Sequence, residues 1–298
     1  MWVQVASPIL GGMEPESRYY SWQRLKLHYV VWGEDGRKPP LLLIHGNRDH
    51  ARNWDDVALR LIDRYTVYAP DLRGHGDSDW AIGGQYSLPE FVADTCALID
   101  ALGHERLTLV GHSLGGAVAL QFTGVCPDRV QKVISVEGLG PRVLERRPAH
   151  RRMREWISHM DELDHRQPRH YPTLEDATRR MQEVNPRLTP ELARHLALHG
   201  MRRNEDGSYS WKFDNYVRTR SPYEFNIEDA RVIWNQIRCP VLLLRGAESW
   251  TGDPEGDDRA SAFHNYRSVV IEGAGHWVHH DQLDRFVEVV SDFLSSEG

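Results

Sequence analysis

Apolar residues in this chain fall into two spacings. Leu41-Leu42-Leu43-Ile44, Thr66-Val67-Tyr68-Ala69, Leu107-Thr108-Leu109-Val110, Val133-Ile134-Ser135-Val136, Pro240-Val241-Leu242-Leu243-Leu244 and Ser268-Val269-Val270-Ile271 are short, nearly continuous apolar runs. Runs of that length suit strands buried on both faces of a parallel sheet. Between and after them, Trp54 to Ile62, Leu88 to Leu102 and Leu283 to Leu294 read as helices. Tyr19 to Trp22 and Leu25 to Trp32 read as two β segments ahead of the first run. Strands alternating with helices predict βαβ units, hence an α/β fold with a doubly wound, mostly parallel sheet.

The alternation stops near Pro141 and resumes after Asp229. Thr173-Leu174-Glu175-Asp176 and Thr189-Pro190-Glu191-Leu192 are helix starts, with a capping Thr followed by acidic residues in the first turn. Asp206-Gly207 predicts a small hairpin or extended turn. Residues 141–220 hold 17 Lys/Arg against 12 Asp/Glu, a balance of +5, which leaves −12 for the rest of the chain. The shift predicts a helical cap over 141–228 inserted into a core formed by 1–140 and 229–298. The basic excess reads as a solvated face, with attraction of anionic substrates as the alternative.

The composition narrows the class. The chain has 298 residues, 40% hydrophobic and 27% charged, values typical of a globular protein. A net charge of −7 argues against a nucleic-acid partner. Sixteen histidines scatter along the chain, with His279-His280 the one adjacent pair. No Cys/His cluster has zinc-site spacing, so no metal and no cofactor is expected. Cys96, Cys126 and Cys239 are odd in number and widely spaced, as expected of free thiols in a reducing compartment. Met1 to Pro8 does not read as a signal peptide, and no apolar run is long enough to span a membrane. A cytoplasmic location is the default expectation.

Candidate chemistry centres on Gly111-His112-Ser113-Leu114-Gly115, between an apolar strand and a helical run. Gly-x-Ser-x-Gly at a strand-to-helix turn is the pattern of a nucleophile elbow. The plain alternative is a glycine-rich turn without chemistry. A serine hydroxyl needs a histidine base and a carboxylate that orients it. His276, in Gly273-Ala274-Gly275-His276-Trp277 after the last strand, is the candidate base. His279 and His280 read as lid-facing or surface residues. The oxyanion needs two backbone N–H donors. Leu114 is one candidate; Asn47, in His45-Gly46-Asn47 after the first apolar run, is the other.

These motifs resemble the α/β-hydrolase superfamily over nearly the whole chain. His45-Gly46, Asp71-Leu72-Arg73-Gly74-His75-Gly76-Asp77-Ser78, the elbow and Gly-Ala-Gly-His match in order and spacing. The resemblance makes Asp71–Ser78 a structural loop beside the active site, held by Arg73 and Asp77. It also exposes a departure. Most members place an aspartate just after the strand that corresponds to Val241–Leu244, where this chain has Ser249 and Trp250. In some members a glutamate follows the strand after the nucleophile. Glu137 stands there, 24 residues beyond Ser113. Both strand ends lie on one edge of the sheet, and a carboxylate at the end of a buried strand needs a partner. Glu137 is therefore the preferred acid, with Asp253 and Glu248 as alternatives.

Ser113 cannot replace the aspartate nucleophile of dehalogenases and epoxide hydrolases, so both are excluded. Serine chemistry fits a carboxylic-ester hydrolase acting on a small-molecule ester or lactone. Met153, Trp156, Met160, Tyr171, Met181, Leu196 and Trp211 either line an apolar pocket or bury the cap against itself. His112, Trp156, Trp211 and Trp277 are the pocket candidates. Two rival readings are a carbon–carbon bond hydrolase and a slow-turnover ligand receptor on the same fold.

Overall fold

The computed structural model describes residues 13–33, 36–140, 148–219, 221–223, 226–253, 255–256 and 258–296. The N-terminal stretch Met1 to Pro8 and the start of the expected cap at Pro141 lie outside the described residues. Eight strands form one sheet: β1 (Glu16–Trp22), β2 (Leu25–Trp32), β3 (Pro40–Ile44), β4 (Thr66–Pro70), β5 (Leu107–His112), β6 (Val130–Val136), β9 (Val241–Gly246) and β10 (Tyr266–Ile271). Their spatial order is β1-β2-β4-β3-β5-β6-β9-β10. β1 pairs antiparallel with β2, and β2 antiparallel with β4; all pairs from β4 through β10 are parallel.

The two-residue period of the strands divides the core. Leu42, Ile44, Leu109, Val133 and Leu243 face helices α2 (Leu88–Leu102), α3 (Leu114–Val125) and α7 (Ile227–Trp234). Leu41, Leu43, Val110, Ile134 and Leu244 face α1 (Asp55–Leu61) and α9 (Leu283–Ser295), preceded by the short α8 (Val278–Asp281). In α9, Phe286, Val289, Val290, Phe293 and Leu294 are buried, the i, i+3, i+4, i+7 stripe of a helix packed on one side. The capping box of Ser87 and Glu90 starts α2, and Gly103, at φ 71°, ends it.

Between β6 and β9 the chain leaves the sheet. It forms α4 (Ala149–Asp164), α5 (Leu174–Val184), α6 (Pro190–Gly200) and a hairpin of β7 (Met201–Arg203) and β8 (Tyr209–Trp211), with the Asp206-Gly207 turn between them. Thr173 and Thr189 cap α5 and α6 by accepting from the Asp176 and Leu192 amides. Tyr171, Leu174, Ala177, Ala197 and Met201 form one small core of this segment; Leu188, Ala193 and Leu196 form another. The segment rests on the loops that follow the parallel strands. Asp214 N donates to Gly74 O at 2.8 Å, Trp80 Nε1 to Lys212 O at 2.8 Å, and Arg187 Nη1 to Gly273 O at 3.0 Å. No helix among the described residues is long and apolar enough to cross a membrane. Cys96 and Cys126 are half-buried and Cys239 buried, all as free thiols.

Candidate active site

Ser113 sits between β5 and α3 with φ 53° and ψ −114°, a left-handed conformation that non-glycine residues rarely adopt. Its neighbours hold it there. Ser113 N donates to Val136 O at 2.8 Å, and Ala117 N donates to Ser113 O at 3.1 Å. Glycine is required on both sides. A Cβ on Gly111 would collide with the Gly115 carbonyl, and one on Gly115 with the Ile44 carbonyl. The close approach of Gly115 to Ile44 brings the end of β3, and hence the Asn47 loop, against the elbow. Leu114 opens α3, so its amide is among those with no acceptor inside the helix.

His276 lies in the loop after β10 and is 8% exposed. His112 Nε2–H donates to the His276 carbonyl at 2.9 Å, with the rings 4.8 Å apart. Trp277 stands edge-on to the His276 ring at 5.3 Å, and Trp250 leans over it at 4.8 Å. His112 is 1% exposed. Burial and the adjacent His276 push its imidazole well below the usual histidine value, which keeps it a neutral donor. His112 therefore stands beneath the His276 loop rather than in a pocket wall, and Trp277 packs beside it.

Glu137 follows β6 at φ 57° with its side chain fully buried. Its Oε2 lies 3.5 Å from His276 Nδ1. Gly246 N donates to Oε1 at 2.7 Å, Ser249 Oγ to Oε2 at 2.8 Å, and Thr251 Oγ1 also donates to Oε2. The turn after β9, without the usual aspartate, thus supplies hydroxyls that hold the glutamate from the neighbouring strand. The sequence reading passed over Ser249 and Thr251 as partners; their signal was two hydroxyl residues where an acid is usual. The alternative acids stand elsewhere. Glu248 is half exposed and bound by Arg187. Asp253 is exposed and accepts from Glu255 N at 3.1 Å.

The remaining candidates divide. Asn47 braces its surroundings: Nδ2 donates to Val217 O at 3.3 Å, and Oδ1 lies 3.1 Å from His75 Nε2. Trp156 lines a shallow open groove with Tyr86, Met160, Tyr216 and Thr219. Trp211 instead packs inside the helical segment, stacked on Phe213 and donating to Tyr171 Oη at 3.3 Å. Tyr171, Met181 and Leu196 likewise bury that segment against itself. His279 corrects the expectation of a lid-facing or surface residue. It is 1% exposed, stacked 4.5 Å from Trp54, with Nε2 2.8 Å from Asn53 Oδ1, because α8 turns it inward onto the turn Ala51–Trp54 ahead of α1.

Arg73, Asp77 and Asp71 each tie down the Asp71–Ser78 loop. Arg73 is buried and pairs with Asp94 at 2.6 Å, while Asp77 reaches outward to Lys212 at 2.8 Å. Asp71 is the loop's anchor, accepting from Ala51 N at 2.6 Å, Asp77 N at 2.8 Å and His28 Nδ1 at 2.6 Å. Burial opposes its charge, but the His28 hydrogen bond and charge hold the carboxyl well below the usual range.

Among the described residues, two groups have metal-ligand donors close together: Asp55 with His195 and His199, and His28 with Asp71 and Asp77. The first escaped the sequence reading because Asp55 lies far along the chain from the His-x-x-x-His of α6. Arg52 already sits on this Asp55 with Nε contacts of 2.9 and 2.8 Å, supplying the positive charge.

The sheet order agrees with the fold of known proteins that this chain resembles. The model of the alpha/beta hydrolase family matches residues 41–289. The chain belongs to that family. It is 27% identical to a serine hydrolase-like protein of Danio rerio over 92% of this chain and 86% of the relative. It is also 27% identical to the esterase Rv0045c of Mycobacterium tuberculosis, over 89% of this chain and 85% of that one. The thioesterase domain from the curacin biosynthetic pathway superposes with a TM-score of 0.84 at 25% identity, covering 94% of this chain and all of that domain.

Proposed function

We propose that this protein is a serine hydrolase of carboxylic esters or lactones, with Ser113 as nucleophile, His276 as base and Glu137 as the acid. The observation that carries this reading is the Glu137 carboxylate 3.5 Å from His276 Nδ1, one strand over from the elbow. In the first step Ser113 Oγ attacks the substrate carbonyl and His276 Nε2 takes the hydroxyl proton. Leu114 and Asn47 amides receive the oxyanion. Collapse of the tetrahedral intermediate breaks the C–O bond, and His276 returns the proton to the leaving alkoxide. Water, deprotonated by His276, then attacks the acyl-serine; collapse releases the acid, and His276 returns the proton to Ser113 Oγ. Glu137 orients the imidazole and balances its charge in both transition states. Residues 141–228 serve as a lid over this site.

The esterase relatives support the ester as substrate class. The test is turnover of 4-nitrophenyl esters from acetate to octanoate. Ser113→Ala should lower kcat by at least about a thousandfold, and Glu137→Gln by about a hundred- to ten-thousandfold. Wild-type turnover that survives Ser113→Ala would overturn the reading.

A further inference from the structure

Away from the elbow, a second serine, histidine and aspartate stand in line. Ser17 Oγ lies 2.7 Å from His28 Nε2, and His28 Nδ1 donates to Asp71 Oδ2 at 2.6 Å. Ser17 is exposed on β1, whereas His28 and Asp71 are buried. The Asp71 carboxylate is held through both oxygens, Oδ1 accepting from Ala51 N at 2.6 Å and Oδ2 from Asp77 N at 2.8 Å. Those bonds favour its charged form. With Nδ1–H committed to Asp71, the neutral ring turns its Nε2 lone pair toward the Ser17 hydroxyl. The Tyr19 ring packs against His28, 5.0 Å between centroids. β1 is the edge strand of the sheet, four strand spacings from β5, a lateral separation of roughly 19 Å. Ser113 and His276 therefore take no part in this line.

The hairpin register supplies a further part. Gln23 and Arg24, left-handed at φ 48° and 68°, join Trp22 to Leu25 in a two-residue turn. Such a turn makes Trp22 and Leu25 a hydrogen-bonded pair, and every second pair beyond it is bonded. Ser21–Lys26, Tyr19–His28 and Ser17–Val30 are then the non-bonded pairs. His28 agrees: its N donates to Ser78 Oγ at 2.8 Å and its O accepts from Asp71 N at 2.9 Å, both away from β1. The Ser17 and Tyr19 amides accordingly point to the open edge, where no strand among the described residues pairs with β1. An N–H beside the serine hydroxyl, without a sheet partner, is the donor that a developing oxyanion needs.

We propose that Ser17, His28 and Asp71 form a second nucleophilic site, at which Ser17 accepts an acyl group from small activated esters such as aryl esters. The bond from Ser17 Oγ to the carbonyl carbon forms while His28 Nε2 takes the hydroxyl proton. The ester C–O bond then breaks, and the proton passes to the departing oxygen. Asp71 orients the imidazole and balances its charge. The inference stands apart from the role of Ser113.

The test uses the Ser113→Ala protein, so that the elbow serine is absent. A fluorophosphonate probe exchanges its P–F bond for an Oγ–P bond, and 4-nitrophenyl acetate leaves an acetyl group. Peptide mass spectrometry after acid quench locates both, so the adduct and not turnover is the readout. Ser21 is the internal control: it is exposed on the same face of β1, with its amide on the same open edge, but stands opposite Lys26. Ser17 should be modified at least about a hundredfold faster than Ser21 by either reagent, the size of a general-base contribution. Ser17→Ala should abolish that adduct. His28→Gln should slow modification of Ser17 about a hundredfold in protein that keeps its circular dichroism spectrum. Equal modification of Ser17 and Ser21, or none at Ser17, overturns the second site, and so does a Ser17 rate unchanged by His28→Gln. If His28→Gln fails to fold, the Ser17-to-Ser21 ratio decides. None of these outcomes bears on Ser113, whose role is decided by labelling and ester turnover of the wild-type protein.

Discussion

Two non-glycine residues in left-handed conformations, Ser113 and Glu137, end neighbouring strands, and each costs on the order of 1–3 kcal/mol of backbone strain. For Glu137 that strain is offset by the Gly246 amide and the Ser249 and Thr251 hydroxyls. Those contacts turn the carboxylate toward His276. Replacing both hydroxyls, Ser249→Ala with Thr251→Val, should free Glu137 to rotate and lower kcat about five- to a hundredfold with little change in KM. Asp253→Asn and Glu248→Gln should stay within about twofold of wild type in the same ester assay, since both carboxylates point elsewhere. A large loss from either would shift the acid's role away from Glu137. At this scale the positions of Ser113, Glu137 and His276 just after strands were legible in the sequence, because motif and strand order constrain them. Ser249 and Thr251 were not, because hydroxyl residues in a turn carry no distinctive spacing.

Among the elements, β5 and α3 depend on Gly111 and Gly115 for their close contact. Gly115→Ala places a methyl against the Ile44 carbonyl, within rigid backbone on both sides. It should cost at least about 2 kcal/mol of stability, read from the urea midpoint, and should lower turnover together with it. Retention of wild-type stability would mean that β3 and α3 can move apart. The buried strands and α2 were legible because a parallel sheet enclosed on both faces demands continuous apolar runs. Boundaries were missed where polar residues extend a strand: β1 begins at Glu16 rather than Tyr19, and β10 at Tyr266 rather than Ser268. The turn Asn215–Arg218 was also missed, since a single turn has no period.

For the whole molecule, buried histidines govern the response to acid. Burial, reinforced by the charge of His45, lowers His75 to about 3, and burial also pushes His50, His112 and His279 well below their usual value. These groups are neutral in the folded chain but bind protons when unfolded below about pH 6.5. Their contribution is therefore present above pH 6.5 and lost as the pH falls toward the folded values. Asp49, raised to about 7 by burial, acts oppositely, since its folded form holds a proton that the unfolded form releases. Four histidines outweigh one aspartate. Unfolding free energy should fall between pH 6.5 and 5, with each histidine adding up to about 1.4 kcal/mol per pH unit. Urea titrations across that window measure the slope, and His75→Gln should reduce it by about one proton. A flat profile would mean that the histidines are not neutral in the fold. The sequence by itself determined the α/β layering and the placement of Ser113, Glu137 and His276 after strands, because each is written as a local period or a motif at a strand end. Only the tertiary structure decided which carboxylate faces His276 and that His279 is turned inward. Those outcomes depend on contacts between segments far apart in the chain, and no local spacing encodes them.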